Sequence, residues 1–322
     1  MTQAFPTFSI NIETANLADT KPERFSRVLK SLADQDHPIA NAQEVVLADS
    51  GRWPAELIRE MCAPYPWISI VPVERDAGYT DCKMQSVPHM TGEILFFCDA
   101  DLLYEPNWLR QMLAAFSEHP EIEVLGGDTS IDQSFDGAGA YGLAMAIAFL
   151  FPPFSDQDAI KPKHYYEGNN VGFRRNVLLR YPAPTRLPAK RANLFIHNTL
   201  LKRKGFTIWH QPKARGHHPV PKGVAAFVSE FWNMGRDSAY VSHFFGDFSG
   251  RSYLDESRVK RRLHRATTVL RRDPKNWLRL PLAFPIIFLG VLIYAVARVY
   301  GLLHRPPKPE HLQQIWGDVL PD

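Results

Sequence analysis

Four short apolar runs alternate with segments of helical periodicity over the first 120 residues, and this alternation limits the folds open to the chain. Phe8–Ile12, Val45–Ala48, Ile68–Val73 and Ile94–Cys98 read as strands. Between and after them, Pro22–Ala33, Trp53–Cys62, Asp81–Met90 and Asn107–Ser117 read as helices. In Pro22–Ala33 the apolar residues Phe25, Val28, Leu29 and Leu32 recur at helical spacing behind an early proline. Pro88 is expected to shorten the third helix. Strands alternating with helices predict an α/β fold with a mostly parallel sheet. Ligands of such sheets bind outside the carboxyl ends of the strands. That rim would carry Thr14, Asp49 and the pair Asp99/Asp101.

The pair ends the run "ILFFCDADLL" (Ile94–Leu103). Side chains two apart on an extended chain share a face, roughly 6–7 Å from each other. Two carboxylates so close repel unless a cation settles them. Mg²⁺ or Mn²⁺, hard ions that take oxygen ligands, would do so and could also hold a diphosphate. A solvated turn carrying two acids is the plainer alternative.

Hydrophobic content of 45% and charged content of 22% fit a folded chain with a real core. The net charge of +3 hides an asymmetry. Gly168–Ser229 holds twelve Lys or Arg and no acid, and Arg258–Arg279 holds nine against one acid, Asp273. Such blocks point to phosphates, on a nucleotide or at a membrane surface. Three cysteines without metal-like spacing suggest reduced thiols and a cytosolic catalytic face. No signal peptide is visible at the start.

The order of motifs from Phe8 to Tyr240 resembles that of family 2 glycosyltransferases of the GT-A fold. "FSINIETAN" resembles the first strand and nucleotide loop, with Glu13-Thr14 where Pro-Thr is usual. "LKSLADQDHP" resembles the helix that follows, and "VVLADSG" the second strand, whose last acid, Asp49, would contact the base. In "RDAGYTDCKMQ", Gly78 and Lys83 fit the family pattern while Asp76 and Met84 replace asparagines. "TGEILFFCDADLLYEPNWL" is the most specific match. The resemblance implies sugar transfer from a nucleotide-diphosphate sugar, UDP-sugar favoured. Asp99 and Asp101 would hold Mn²⁺ or Mg²⁺, His218 would be a third ligand or diphosphate contact, and Thr14, Glu13, Asp49, Gly78, Lys83 and Asp99 would bind the donor. "EGNNVGFRR" resembles the acceptor-side segment, which makes Asn169, Asn170 and Arg174 acceptor-side residues, with Arg236 beyond them. Expected partners are the sugar nucleotide, a lipid-linked or glycan acceptor and a membrane, with no nucleic acid.

An inverting transfer needs a carboxylate to accept the acceptor hydroxyl's proton. The family usually carries it about twelve residues before the glycine that ends a helix. Here that count back from Gly205 lands on Asn193-Leu194. Glu167 is the first candidate replacement, Asp128 and His197 the others. Retention of configuration without such a base, or a catalytically silent module that binds sugar nucleotide within a glycan assembly complex, are the alternatives. A nucleotidyltransferase would open with a Gly-rich basic loop where this chain has "IETANLADT".

Leu280–Leu303 carries one charge, Arg298. As a helix it would run ~36 Å, against about 30 Å for a bilayer core. Pro281 and Pro285 fall near its start, and Tyr294 and Tyr300 suit an interface. The basic flank before it predicts a cytosolic catalytic domain at the inner membrane. The expected organisation is a GT-A domain over 1–245, a basic juxtamembrane segment over 246–279, a membrane-spanning or membrane-docking helix over 280–303 and a tail over 304–322. The apolar stretch Tyr141–Phe154 is read as a buried helix ended by Pro152-Pro153.

Overall fold

The computed structural model describes residues 5–131, 139–148, 153–190, 192–245, 266–304, 306 and 310–317. Four parallel strands form as the alternation predicts: β1 (Phe8–Glu13), β2 (Glu44–Asp49), β3 (Ile68–Pro72) and β4 (Ile94–Asp99). Between them lie α1 (Pro22–Ala33), α2 (Ala55–Cys62) and α3 (Tyr79–Ser86), and α4 (Trp108–Glu118) follows. Helix α3 starts two residues earlier than periodicity suggested, with Gly78 as its N-cap, and ends before Pro88, which sits in a 3₁₀ turn over Val87–His89.

The rest of the sheet is not parallel. The strands β5 (Leu103–Tyr104), β6 (Val124–Ile131), β7 (Lys161–Pro162), β8 (Asn170–Arg174) and β9 (Ile208–His218) extend it in the order β3-β2-β1-β4-β8-β6-β9-β5, with β7 on β9. β8 runs antiparallel to β4 and sets Asn170 opposite Cys98 and Arg174 opposite Ile94. β6 runs antiparallel to β8, so Asp128 reaches the same rim as Asp99. The remaining helices are α5 (Ala140–Ala148), α6 (Arg175–Arg180), α7 (Ala192–Arg203), α8 (Gly223–Phe245), α9 (Lys275–Leu303) and α10 (His311–Trp316).

Two compact units divide the chain. The first comprises Met1–Thr129, Phe154–Arg186 and Asn193–His217. Its core packs Ile10, Ile12, Leu47 and Phe96 of the sheet against Phe25, Val28 and Leu29 of α1 and Trp108, Met112 and Phe116 of α4. At the sheet's crossing point a Cβ on Gly127 would collide with Asn170 Oδ1 and the Ala214 carbonyl, so only glycine lets these strands meet. The second unit comprises Ser130–Pro153, Leu187–Ala192 and His218–Asp322. It packs Met145 with Phe227 and Phe231, and Leu143 and Ala144 with Val269, Leu270 and Ala283. Leu143, Ala144 and Met145 make α5 a buried helix; its expected stop at Pro152 lies outside the described residues. The basic segment is described only from residue 266, and Arg305 and Lys308 of the tail also lie outside.

Candidate active site

Strand β4 is buried throughout, and its last residue, Asp99, stands opposite Glu13, the last residue of β1. Both carboxylates are buried, at 2% and 0% exposure. One ammonium answers them. Lys83 reaches from α3 and donates to Asp99 Oδ1 at 2.7 Å and to the Cys98 carbonyl at 3.1 Å. Tyr79, one turn before Lys83 on the same face, donates from Oη to Asp99 at 2.8 Å. Asn16 Nδ2 donates to Asp99 Oδ2 at 3.2 Å. Tyr104 Oη receives the Asp99 N–H at 3.1 Å and donates to the Asn169 carbonyl at 2.7 Å. Burial, and next the Asp99 charge, push both the Tyr79 phenol and the Glu13 carboxyl well up; Asp101 adds to the rise at Glu13, while Lys83 and the Ala15 N–H oppose it. Glu13 Oε1 is buried and has no hydrogen-bond partner among the described residues.

Asp101 is held through its backbone. Arg24, buried on α1, donates from Nε to the Asp101 carbonyl at 2.8 Å and from Nη2 to the His217 carbonyl at 2.6 Å. Helical periodicity marks only apolar residues on α1, but Arg24, one turn before Val28 on the apolar stripe, is buried as well. The Leu103–His217 ladder ties the same loop to β9. The next residue, His218, opens the second unit and donates from Nδ1 to the Pro219 carbonyl at 2.6 Å.

The β1–β2 edge of the rim is closed by side chains acting on backbone. Thr14 Oγ1 donates to the Ala48 carbonyl at 2.8 Å and accepts the Ser50 N–H at 3.0 Å. Asp49 Oδ1 accepts the Gly51 N–H at 2.9 Å. Asp76 adopts a left-handed φ of 59°, which Asn and Asp tolerate best. Arg52 fixes it there through its carboxylate at 2.9 Å and its carbonyl at 3.2 Å. The Asp-for-Asn departure at this position therefore keeps the conformation the turn requires.

The base candidates converge on one lysine. Lys163 Nζ lies 3.7 Å from Glu167 Oε1. Burial would lower this lysine, but Glu167, Tyr165 and Asp128 together hold it above 10.5. Asp128 accepts the Ser155 N–H at 2.6 Å and lies 3.5 Å from His210 Nε2. A Cβ at Gly168 would meet Leu194 of α7 and the Tyr79 hydroxyl, so the residue after Glu167 adjoins both the Asp99 cluster and the helix start where the family's acid is usual. Asn193 is buried there. His197 is committed elsewhere: Nε2 donates to the Tyr181 carbonyl at 2.9 Å and Nδ1 accepts from Tyr166 at 2.5 Å. Burial lowers it from 6.5 to about 4.

The acceptor-side residues part company. Asn169 lies on the rim and accepts from Thr129 Oγ1 at 3.3 Å. Asn170 is an internal strut: Oδ1 accepts from Trp108 Nε1, and Nδ2 donates to the Asp128 and Ala214 carbonyls. Arg174 stands at the opposite end of β8 and donates to the Ile122 and Phe116 carbonyls. Arg236 belongs to the second unit, with Nη2 3.4 Å from Asp237.

Among the described residues no three His, Cys, Asp or Glu are grouped to hold a metal alone. The residues nonetheless fit a divalent cation that completes its shell from a ligand. Asp99 and Asp101 both raise the Glu13 carboxyl, and the Lys83 ammonium opposes them. Mg²⁺-type ions typically use one or two carboxylates plus substrate phosphates. Asp99 already accepts three chain donors, from Lys83, Tyr79 and Asn16.

No curated protein matches the chain. Among solved structures, a mannosyltransferase from Pyrobaculum calidifontis in complex with GDP-Man and Mn²⁺ superposes with a TM-score of 0.59 at 17% identity, over 93% of this chain and 88% of its own. S. aureus TarS 1–349 with UDP gives 0.51 at 14%, over 94% and 93%. GalNAc-T7 with UDP, GalNAc and Mn²⁺ gives 0.53 at 14%, over 76% of this chain, which spans about half (49%) of that one. The sequence profile of glycosyl transferase family 2 matches residues 20–181, half of the chain, from α1 through Asp49, Lys83, Asp99 and Asp101 to α6. The protein belongs to glycosyl transferase family 2 and is a glycosyltransferase enzyme of the GT-A fold.

Proposed function

We propose that the enzyme moves a sugar from a nucleotide-diphosphate sugar, UDP-sugar favoured, to a lipid-linked or polysaccharide acceptor at the cytosolic face of the inner membrane. The observation that carries this reading is the buried cluster of Glu13, Asp99 and Asp101 with the Lys83 ammonium on the carboxyl rim of the sheet. UDP is favoured because two of the three structural neighbours described carry it.

Asp49 and the Thr14 clasp shape the nucleoside end of the rim, and Gly78 opens α3 beside it. Asp101, with Asp99, would hold Mn²⁺ or Mg²⁺. When bound, the ion supplies positive charge to the diphosphate as the glycosidic bond weakens. Lys83 and Tyr79 fix the Asp99 carboxylate, which would face the donor's ribose or the ion. Glu167 takes the acceptor hydroxyl's proton, with the Lys163 ammonium 3.7 Å from its carboxylate.

The test is a thermal-shift screen with UDP-, GDP- and dTDP-sugars plus Mn²⁺. Wild type should gain stability with one nucleotide class, and Asp101→Asn should lose the metal-dependent part. A full shift in that variant overturns the site. A second reading, a silent binding module, is favoured by Asn193 standing where the family's acid is usual. Donor binding without nucleoside diphosphate release, across acceptors from a membrane extract, would decide for it.

A further inference from the structure

Helix α9 is long and apolar enough to cross a membrane, yet its packing argues against crossing. A strip of small residues, Ala283, Gly290, Ala297 and Gly301, is buried along one side. Helix α8 lies against Gly290, Ala297 and Gly301 and runs in the same direction, while Ala283 packs on α5. Phe231 fills the space beside Gly290, Gly235 meets the Tyr294 carbonyl and Ala297, and Ala239 meets Gly301. The contact is close enough that a Cβ at any of these three glycines would collide. Tyr294 Oη hydrogen-bonds Ser238 Oγ at 2.9 Å within it.

Helix α8 is no membrane partner. Over the shared stretch it carries Glu230, Asn233, Arg236 and Asp237. Asp237, buried, accepts the N–H of Lys190 at 2.9 Å and of Ala192 at 3.2 Å. The backbone at Lys190, outside any helix, therefore docks on α8 at the level of Tyr294–Ala297 of α9. That level is ~8–12 Å of helix rise from the middle of α9, inside the ~15 Å half-thickness of a bilayer core. Pro188 and Lys190 of this segment are exposed, and a lipid-exposed loop does not sit at that depth.

The other side of α9 is bare hydrocarbon. Leu282, Phe284, Phe288, Leu292, Val296 and Val299 are each at least half exposed. Trp277 and Tyr300, also exposed, mark its two ends, as aromatic residues do at a membrane interface. Exposed cations Arg271, Arg272 and Lys275 stand at the start of the helix. Beside α9 an apolar slot of about 470 Å³, lined by Val224, Phe227, Val228, Ile286 and Leu289 among others, is shaped for hydrocarbon. An apolar face of this extent marks a binding surface, and cations with interfacial aromatics suit an anionic bilayer.

We infer that α9 lies in the plane of the membrane, sealed to α8 on one side and sunk into one leaflet on the other, without crossing. Both ends of the helix then stay on one side of the bilayer. This inference rests on the second unit alone and stands whatever the sugar donor is.

Two measurements on the full chain test it. In the first, Gln314→Cys is probed in sealed right-side-out vesicles with a membrane-impermeant maleimide; the natural cysteines are buried. Protection until the vesicles are opened is expected, and labelling of intact vesicles means the helix crosses and overturns the inference. In the second, purified wild type and the pair Leu282→Glu/Phe288→Glu are floated with phosphatidylcholine/phosphatidylglycerol vesicles, with a melting curve as the check on folding. A roughly tenfold or greater loss of the bound fraction is expected. Unchanged flotation by a folded variant, or conversion of a dimer to a monomer with no change in flotation, overturns it. Should the pair fail to fold, Phe284→Glu and the labelling result decide.

Discussion

Glu13 and Asp99 face each other across the β1–β4 ladder, both buried, and Lys83 is the ammonium that makes this tolerable. Removing one partner of a buried ion pair leaves a charge without compensation, at a cost of about 3–5 kcal/mol. Lys83→Met should therefore destabilise the protein by that order, measured by chemical denaturation. A loss under 1 kcal/mol would mean that Tyr79 and Asn16 suffice to hold Asp99.

Glu167 and Asp128 compete for the role of base around Lys163. Glu167→Gln is expected to lower kcat by about 10²–10⁴ with the donor KM unchanged. Asp128→Asn, whose carboxylate is tied to the Ser155 N–H, is expected to cost far less. Steady-state kinetics of nucleoside diphosphate release separates them, and the reverse order would transfer the role to Asp128.

His197 gives a pH signature of stability. Its folded pKa is lowered to about 4 against 6.5 for the ordinary imidazole, because it is buried. Below pH 6.5 the unfolded chain takes a proton that the folded protein refuses. Stability is thus full above 6.5, falls by about 1.4 kcal/mol per pH unit toward pH 4, and levels once the folded state also protonates. His197→Gln should flatten that part of the profile in denaturation curves taken from pH 4 to 7.

Asn170 is predicted to matter for folding rather than for acceptor binding. Asn170→Ala strands the Trp108 N–H and the Asp128 and Ala214 carbonyls in the interior. The expected cost is about 2–4 kcal/mol, read from the melting midpoint. An unchanged midpoint with a raised acceptor KM would restore Asn170 to the acceptor side.

Local pattern carried the first half of the fold. Phe25, Val28, Leu29 and Leu32 marked α1, and the run ending in Asp99 marked β4, because each lies within one element and periodicity is a property of one element. The sequence by itself thus determined the four parallel strands, the rim at their carboxyl ends, and the acids placed on it. Tyr79 was legible in principle, four residues before Lys83 on one helix face.

Only the tertiary structure decided what those acids meet. Lys83 pairs with Asp99 because α3 packs over the end of β4, and Arg24 grips the Asp101 carbonyl from a helix 77 residues earlier. The antiparallel entry of β8 sent Arg174 to the far end of the sheet and made Asn170 a strut. The stretch read as spanning or docking turned out to share its length with α8. Charge pairing and helix neighbours depend on register between distant segments, and that register is set by packing, which no single stretch of sequence contains.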